Sequence, residues 1–134
     1  MAIKTNTLAQ ISITTAVTGS TVDIGKVPAG TKHILVHSNF TYGSGGTAAK
    51  FYLQSSADEG VTWFDVACLA HTTSSLRRVV STTLDVDGTL TTASDGALTD
   101  NTKLTGLCGD RLRLKYTTTG TYASTTYDMV LTYR

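Results

Sequence analysis

The sequence predicts an all-β chain, folded as a single β-sandwich or jelly roll of about eight mostly antiparallel strands. Three observations carry that expectation. A length of 134 residues suits one domain. The chain has 27 Thr and 11 Ser against a single Pro, Pro28. Thr loses χ1 freedom in helices and packs well on pleated sheets, so this composition is wrong for a helical protein. Most directly, apolar residues recur with a period of two and nowhere with the period of a helix.

The strands follow in order. Ile11, Ile13 and Val17 share one face of a first strand, opposite Ser12 and Thr14. Val22 and Ile24 form a second, closed by Gly25 and the Pro28-Ala29-Gly30 turn. From Lys32 to Tyr42, Ile34, Val36 and Phe40 face one way and His33, Leu35 and His37 the other. Gly43-Ser44-Gly45-Gly46 is expected to be a flexible tip, with three glycines offering nothing to pack. Ala49, Phe51 and Leu53 make the next inward face, and Phe64, Val66 and Cys68 the one after a tight turn. A poorer alternation runs through Leu76, Arg78, Val80, Thr82 and Leu84. Residues 85–109 read mainly as loop, with one short strand or helical turn near Leu98 to Leu104. Leu112, Leu114 and Tyr116 then alternate with Arg111, Arg113 and Lys115, and the chain closes on Tyr127, Met129, Leu131 and Tyr133. Strands at this spacing indicate a two-sheet sandwich. Residues 1–8 are expected to be a polar N-terminal arm, and 9–134 the single domain.

Charge and targeting signals narrow the function. Charged residues make up 16% of the chain and the formal net charge is +1, which excludes a polybasic nucleic-acid arm and an acidic disordered tail. Neither a secretory leader nor an apolar run long enough to span a bilayer is visible, so synthesis in the cytoplasm without membrane insertion is expected. Cys68 and Cys108 are too few for a disulfide scaffold and too far apart for a zinc ribbon. Cys68 is expected to be a buried, inert thiol and Cys108 the more reachable one. An internal Cys68–Cys108 bridge and an inter-subunit link through Cys108 both stay open at this point.

Other chemistry-bearing residues have plain structural readings. Asp85, Asp87, Asp95 and Asp100 could supply oxygen ligands to Ca²⁺, but they lack EF-hand spacing and read as a solvated loop. His33 and His37 stand four residues apart on one strand face, about 13 Å, too far to share a metal. Arg77-Arg78 and the Arg111/Arg113/Lys115 row could hold phosphate. Period two makes the latter one polar strand face, with Asp110 and Asp128 available to balance it, and no aromatics interleave as nucleic-acid binding would require. Neither a catalytic nor a cofactor or metal site is expected.

Two local motifs are more specific. Ser56-Ala57-Asp58-Glu59-Gly60-Val61-Thr62-Trp63 resembles an Asp-box, S-x-D-x-G-x-T-W, known from sialidase propellers and many unrelated β-proteins. Ser56, Asp58, Gly60, Thr62 and Trp63 are its marked positions. The physics is that of a hairpin: Asp58 accepts turn N–H groups, Gly60 takes a positive φ and Trp63 buries at the base. One copy cannot make a propeller, which repeats its blade. Asp85-Val86-Asp87-Gly88-Thr89 matches the first motif of haloacid-dehalogenase phosphatases, with Asp85 at the nucleophile position and Asp87 at the general acid. That chemistry needs a buried strand delivering the pair inside a doubly wound fold, so a chance match in a Thr/Asp/Gly-rich loop is expected.

Phe40-Thr41-Tyr42-Gly43-Ser44-Gly45-Gly46-Thr47, the continuation Trp63-Phe64-Asp65-Val66-Ala67 and the run from Gly109 through Tyr122 form a combination. Together they resemble small structural proteins encoded in the virion gene clusters of tailed bacteriophages and prophages, over roughly Asn39 to Arg134. The resemblance implies a β-sandwich virion component without enzymatic activity. Within that class the expectation is a capsid decoration or minor capsid protein, a homo-oligomer binding the major capsid protein or other virion proteins. It would be located in the particle and have no specific nucleic-acid partner. A neck, collar or tail accessory protein is the runner-up. A carbohydrate-binding host-attachment module is the alternative from another class; it would want exposed Trp and Tyr platforms.

Overall fold

The computed structural model describes residues 4–134, with side chains from Ala9 onward. Eleven strands and no helix occur among these residues: β1 (Lys4–Ile13), β2 (Ser20–Lys26), β3 (His33–Thr41), β4 (Ser44–Gly45), β5 (Ala48–Ser56), β6 (Phe64–His71), β7 (Leu76–Thr83), β8 (Thr102–Lys103), β9 (Arg111–Thr119), β10 (Tyr122–Ala123) and β11 (Thr125–Tyr133). Eight have seven to ten residues; β4, β8 and β10 have two each.

The sheets run β1-β11-β3-β7 and β2-β9-β5-β6-β8, and every neighbouring pair is antiparallel. Counting only the long strands, consecutive strands are dealt between the sheets in the order first-eighth-third-sixth and second-seventh-fourth-fifth. That is the strand order of a jelly roll, two Greek keys folded face to face.

Burial on β3 and β11 alternates as the period-two pattern predicts: Ile34, Val36 and Phe40 meet Tyr127, Met129, Leu131 and Tyr133 in the core. From the other sheet come Phe51, Leu53, Leu112 and Leu114. An aromatic stack crosses between the sheets, with the Phe51 and Tyr127 rings parallel at 3.6 Å and Phe40 stacked on His71 at 4.7 Å. The buried Tyr127 hydroxyl pairs with Ser38 Oγ at 2.7 Å, so that polar atom is not stranded.

Four local expectations are corrected. Lys4 to Leu8 are not a free arm: they pair with β11, from Lys4 opposite Tyr133 to Leu8 opposite Val130. Residues 1–3 lie outside the described residues. Val17 lies beyond the end of β1, exchanging hydrogen bonds with Thr118. The glycine-rich tip is docked, because β4 pairs with β10 and Gly46, at φ +67°, lies against the Tyr122 ring where a Cβ would collide. Finally, β6 is bulged: Leu53 faces Ala67 but Gln54 faces Asp65, leaving Val66 as the extra residue. Past the bulge, Ala67, Leu69 and His71 stand opposite the core residues Leu53, Phe51 and Ala49. Cys68, paired with Tyr52, is buried on the opposite face. Of the short strand or helical turn expected near Leu98 to Leu104, the strand is present as β8.

Candidate functional site

The densest cluster of interacting polar groups sits on the outer face of the five-stranded sheet, beneath the long connection between β7 and β9. Its centre is Asp65, only 1% exposed. One carboxylate oxygen accepts from Gln54 Nε2 at 2.8 Å and from the Gly96 amide at 2.9 Å. The other accepts from Ser94 Oγ at 2.8 Å and from the amides of Gly96, Ala97 and Leu98 at 2.9, 2.9 and 3.0 Å. The Asp65 amide also donates to Ser94 O at 2.8 Å. Burial by itself would raise this carboxyl. The hydrogen bonds from Gln54, Ala97, Gly96 and Ser94 outweigh it and hold the group below the usual carboxylate range. Asp65 is a clamp: a fixed anion closing the 94–98 turn onto the sheet.

The cluster extends from Gln54. Its Nε2 also reaches Asp95 Oδ1 at 2.7 Å, and its Oε1 accepts from Arg113 Nε at 2.7 Å. Asp95 Oδ1 takes Lys115 Nζ at 2.8 Å and lies 3.7 Å from an Arg113 nitrogen. The contact with Lys115, followed by that with Gln54, lowers the Asp95 carboxyl. Arg113 and Lys115 are therefore a protein-facing row, balanced by Asp95 rather than by Asp110 or Asp128. The Arg113 guanidinium lies over the Trp63 ring, 4.5 Å from its centroid.

That ring belongs to the Asp-box hairpin, whose marked residues the structure does bring together. Ser56 Oγ donates to Asp58 Oδ1 at 2.7 Å and accepts from the Gly60 amide at 2.8 Å. Asp58 accepts from the Thr62 amide at 2.9 Å and from its hydroxyl at 2.6 Å. Led by the Thr62 hydroxyl, these bonds lower the exposed Asp58 carboxyl to about 2. Gly60 has φ +90°, as the turn demands, and Trp63 Nε1 donates back to its carbonyl at 3.1 Å. Trp63 is only half-buried, a correction to the fully buried anchor expected. It fails to reach the core because Arg113 and the hairpin backbone enclose it on the outer face.

The remaining candidates separate. Both thiols are free, so the Cys68–Cys108 bridge is not formed. Cys108 is less reachable than expected: half-buried against the core, its Sγ lies 3.6 Å from both Ser55 Oγ and Gly109 O. Burial pushes both thiols up, away from the reactive thiolate. Asp100 is tied to Lys50 at 2.9 Å, and no group of three metal-ligating side chains occurs among the described residues. Asp85 and Asp87 are exposed on the bend following an edge strand, not at the end of a buried one. His33 and His37 are half-buried on the outer face of the four-stranded sheet. His71, expected in a Thr/Ser loop as an ordinary surface or core histidine, instead ends β6. It is buried in the aromatic stack with neither ring nitrogen partnered, and burial followed by the Arg78 charge depresses its pKa to about 4. Asp65 and Gln54 were missed, although polar residues inside an apolar strand pattern are the signal that could have found them.

Comparison with protein families, with curated proteins and with solved structures finds no match to this chain.

Proposed function

We propose that this chain is a non-enzymatic structural component of a tailed-phage particle, a capsid decoration or minor capsid protein that binds and stabilises the major shell. The observation that carries the reading is the jelly-roll strand order, an architecture recurrent in viral capsid domains. It is an argument by analogy of fold, and the sequence resemblance over Asn39 to Arg134 adds to it. The chemistry points the same way. Asp58, Asp65, Asp95, Gln54 and Arg113 are engaged with one another or with turn amides, holding a hairpin and a long loop rigid. A rigid covering loop on one face suits a part used in many identical copies. The attachment-module alternative loses its best platform, since one face of the sole Trp is taken by Arg113.

The test is cryo-electron microscopy of particles purified from cells carrying the gene, with the chain fitted as a rigid body. Density for the sandwich at regular positions on the shell supports the reading. Density at the neck or tail replaces it with the accessory-protein alternative, and absence of the chain from purified particles overturns it.

A further inference from the structure

Among the residues whose side chains are described, five large apolar ones are exposed, and four of them fall in two groups on β7 and the segment that follows it. Leu76 and Val79 (65% exposed) lie on β7, the outermost strand of its sheet. Val86 and Leu90 (100% exposed) lie on the segment that leaves it. The charges divide the same way. Arg77 and Arg78 stand with the first group, on opposite faces of the edge strand, Arg78 at the inter-sheet side and Arg77 beside His37 and Asn39 on the outer face; Asp85 and Asp87 stand with the second. Among the described residues none of the four forms an ion pair, and the Arg78 Nε is buried without an acceptor.

Beside β7 the two sheets part into a cleft of about 410 Å³, floored by Ala67, Leu69 and Val80 and rimmed by Arg78 and Lys103. Asp87 lines a neighbouring hollow together with Lys103, so the acidic segment and the basic cleft adjoin on the same flank.

We propose that this flank is a two-fold interface with a second copy of this chain. The 85–90 segment of each copy lies along the β7 cleft of the other, Val86 and Leu90 against its apolar floor, Asp85 and Asp87 facing Arg78 at the cleft rim, with Arg77 across the same edge strand adding to the positive field. A two-fold axis uses each patch twice, once in each direction, as an isologous contact requires. The pairing gives the Arg78 guanidinium a carboxylate partner and covers the exposed side chains of Val79, Val86 and Leu90. This deepens the oligomeric part of the proposed function by naming its surface. The test uses the isolated chain, so its failure leaves the particle reading standing.

Sedimentation equilibrium of the full chain at low ionic strength should show a dimer that loosens in about 1 M salt, where the Debye length falls to about 3 Å. The paired substitution Arg77→Asp with Arg78→Asp should weaken association at least tenfold, as should Asp85→Arg with Asp87→Arg. Mixing the two variants should restore a dimer, because each reversed patch then meets an opposite charge. Leu90→Ser changes a fully exposed side chain and should weaken association while leaving the melting temperature unchanged. A wild-type chain that stays monomeric at its highest soluble concentration overturns the proposal. So do folded variants that associate as well as wild type, or that fail to associate when mixed.

Discussion

Replacing Asp65 by Asn tests the clamp directly, because the change keeps the shape and removes the charge. The carboxylate receives hydrogen bonds from Gln54 Nε2, Ser94 Oγ and the amides of Gly96, Ala97 and Leu98. An Asn side chain retains one acceptor oxygen and turns an NH₂ toward the remaining donors. If the oxygen stays with Ser94, Ala97 and Leu98, it keeps Gly96 as well and only Gln54 faces a donor; if it flips, the Ala97 and Leu98 amides do. The less costly orientation leaves one buried donor without its partner, at roughly 1–3 kcal/mol, and the remaining bonds lose their charge assistance. The expected cost is about 2–4 kcal/mol, a large share of the roughly 5–15 kcal/mol that holds a domain together. Thermal denaturation should show a fall of about 10 °C or more. Amide hydrogen exchange should show lost protection at Gly96, Ala97 and Leu98 before any loss in β3 or β11. The pH dependence follows from the same bonds. A carboxyl lowered in the folded state contributes stability above its unfolded value and loses it as pH falls through the folded one. Wild type should therefore weaken in acid at the clamp, and the Asn variant should lack that component. A variant that melts within a degree or two of wild type, with unchanged exchange at those amides, refutes the clamp.

Four further outcomes are expected. Asp58 should titrate near pH 2 by NMR, and Thr62→Val should move its midpoint back toward 3.8, since the Thr62 hydroxyl is the leading cause of the shift. Trp63→Ala should cost about 2–3 kcal/mol in urea denaturation, below the roughly 3–5 kcal/mol of a fully buried aromatic, because the ring is half-buried; a larger loss would put it in the core. His71, depressed to about 4, should make the wild type lose about 2–3 kcal/mol as pH falls from about 6.5 to about 4, because only the unfolded chain binds the proton there. His71→Phe should flatten the curve across that window, and an unchanged curve would assign the loss to other groups. Both thiols should resist alkylation at neutral pH in the native state, Cys68 more than Cys108, and react fully after denaturation.

The alternation of β3 and β11 was legible because each strand keeps an unbroken period of two and packs one face on the core. The Asp-box bonds were legible too, because a hairpin's hydrogen bonds are local in sequence, whereas at β8 the sequence left a short strand and a helical turn both open. What escaped was non-local. The face of Cys68 was misread because the bulge at Val66 shifts the period by one residue, and a bulge is fixed by pairing with β5, which no single strand reveals. The docking of Gly43–Gly46 depends on Tyr122, far along the chain. The clamp joins Asp65 to residues 94–98, and His71 joins a stack contributed by three other strands. Composition marks such polar residues as out of place in a strand. It does not say what they touch.

The two outer faces of the sandwich show how the polar residues divide their work. On the five-stranded sheet, the connection between β7 and β9 carries Ser94, Asp95 and Gly96 down onto Gln54, Asp65, Arg113 and Lys115, and the sheet face is closed by its own chain. A face closed from within has few unsatisfied groups left to offer a partner. The four-stranded sheet has no such cover: Leu35, His37, Val130 and Thr132 remain half-buried, and beyond them β7 ends the sheet with Val79 exposed. Edge strands left open are where chains pair and assemble, and proteins that must stay apart blunt them with charge. Here the charge is present as Arg77 and Arg78, but the same chain supplies Asp85 and Asp87 a few residues on. A blunted edge carries charge of one sign and repels its own copy, whereas this flank carries both signs in adjacent patches. That distribution is what sets the proposed two-fold interface at β7 rather than on the loop-covered face: each copy carries both the charge that would repel a like patch and the one that would meet it.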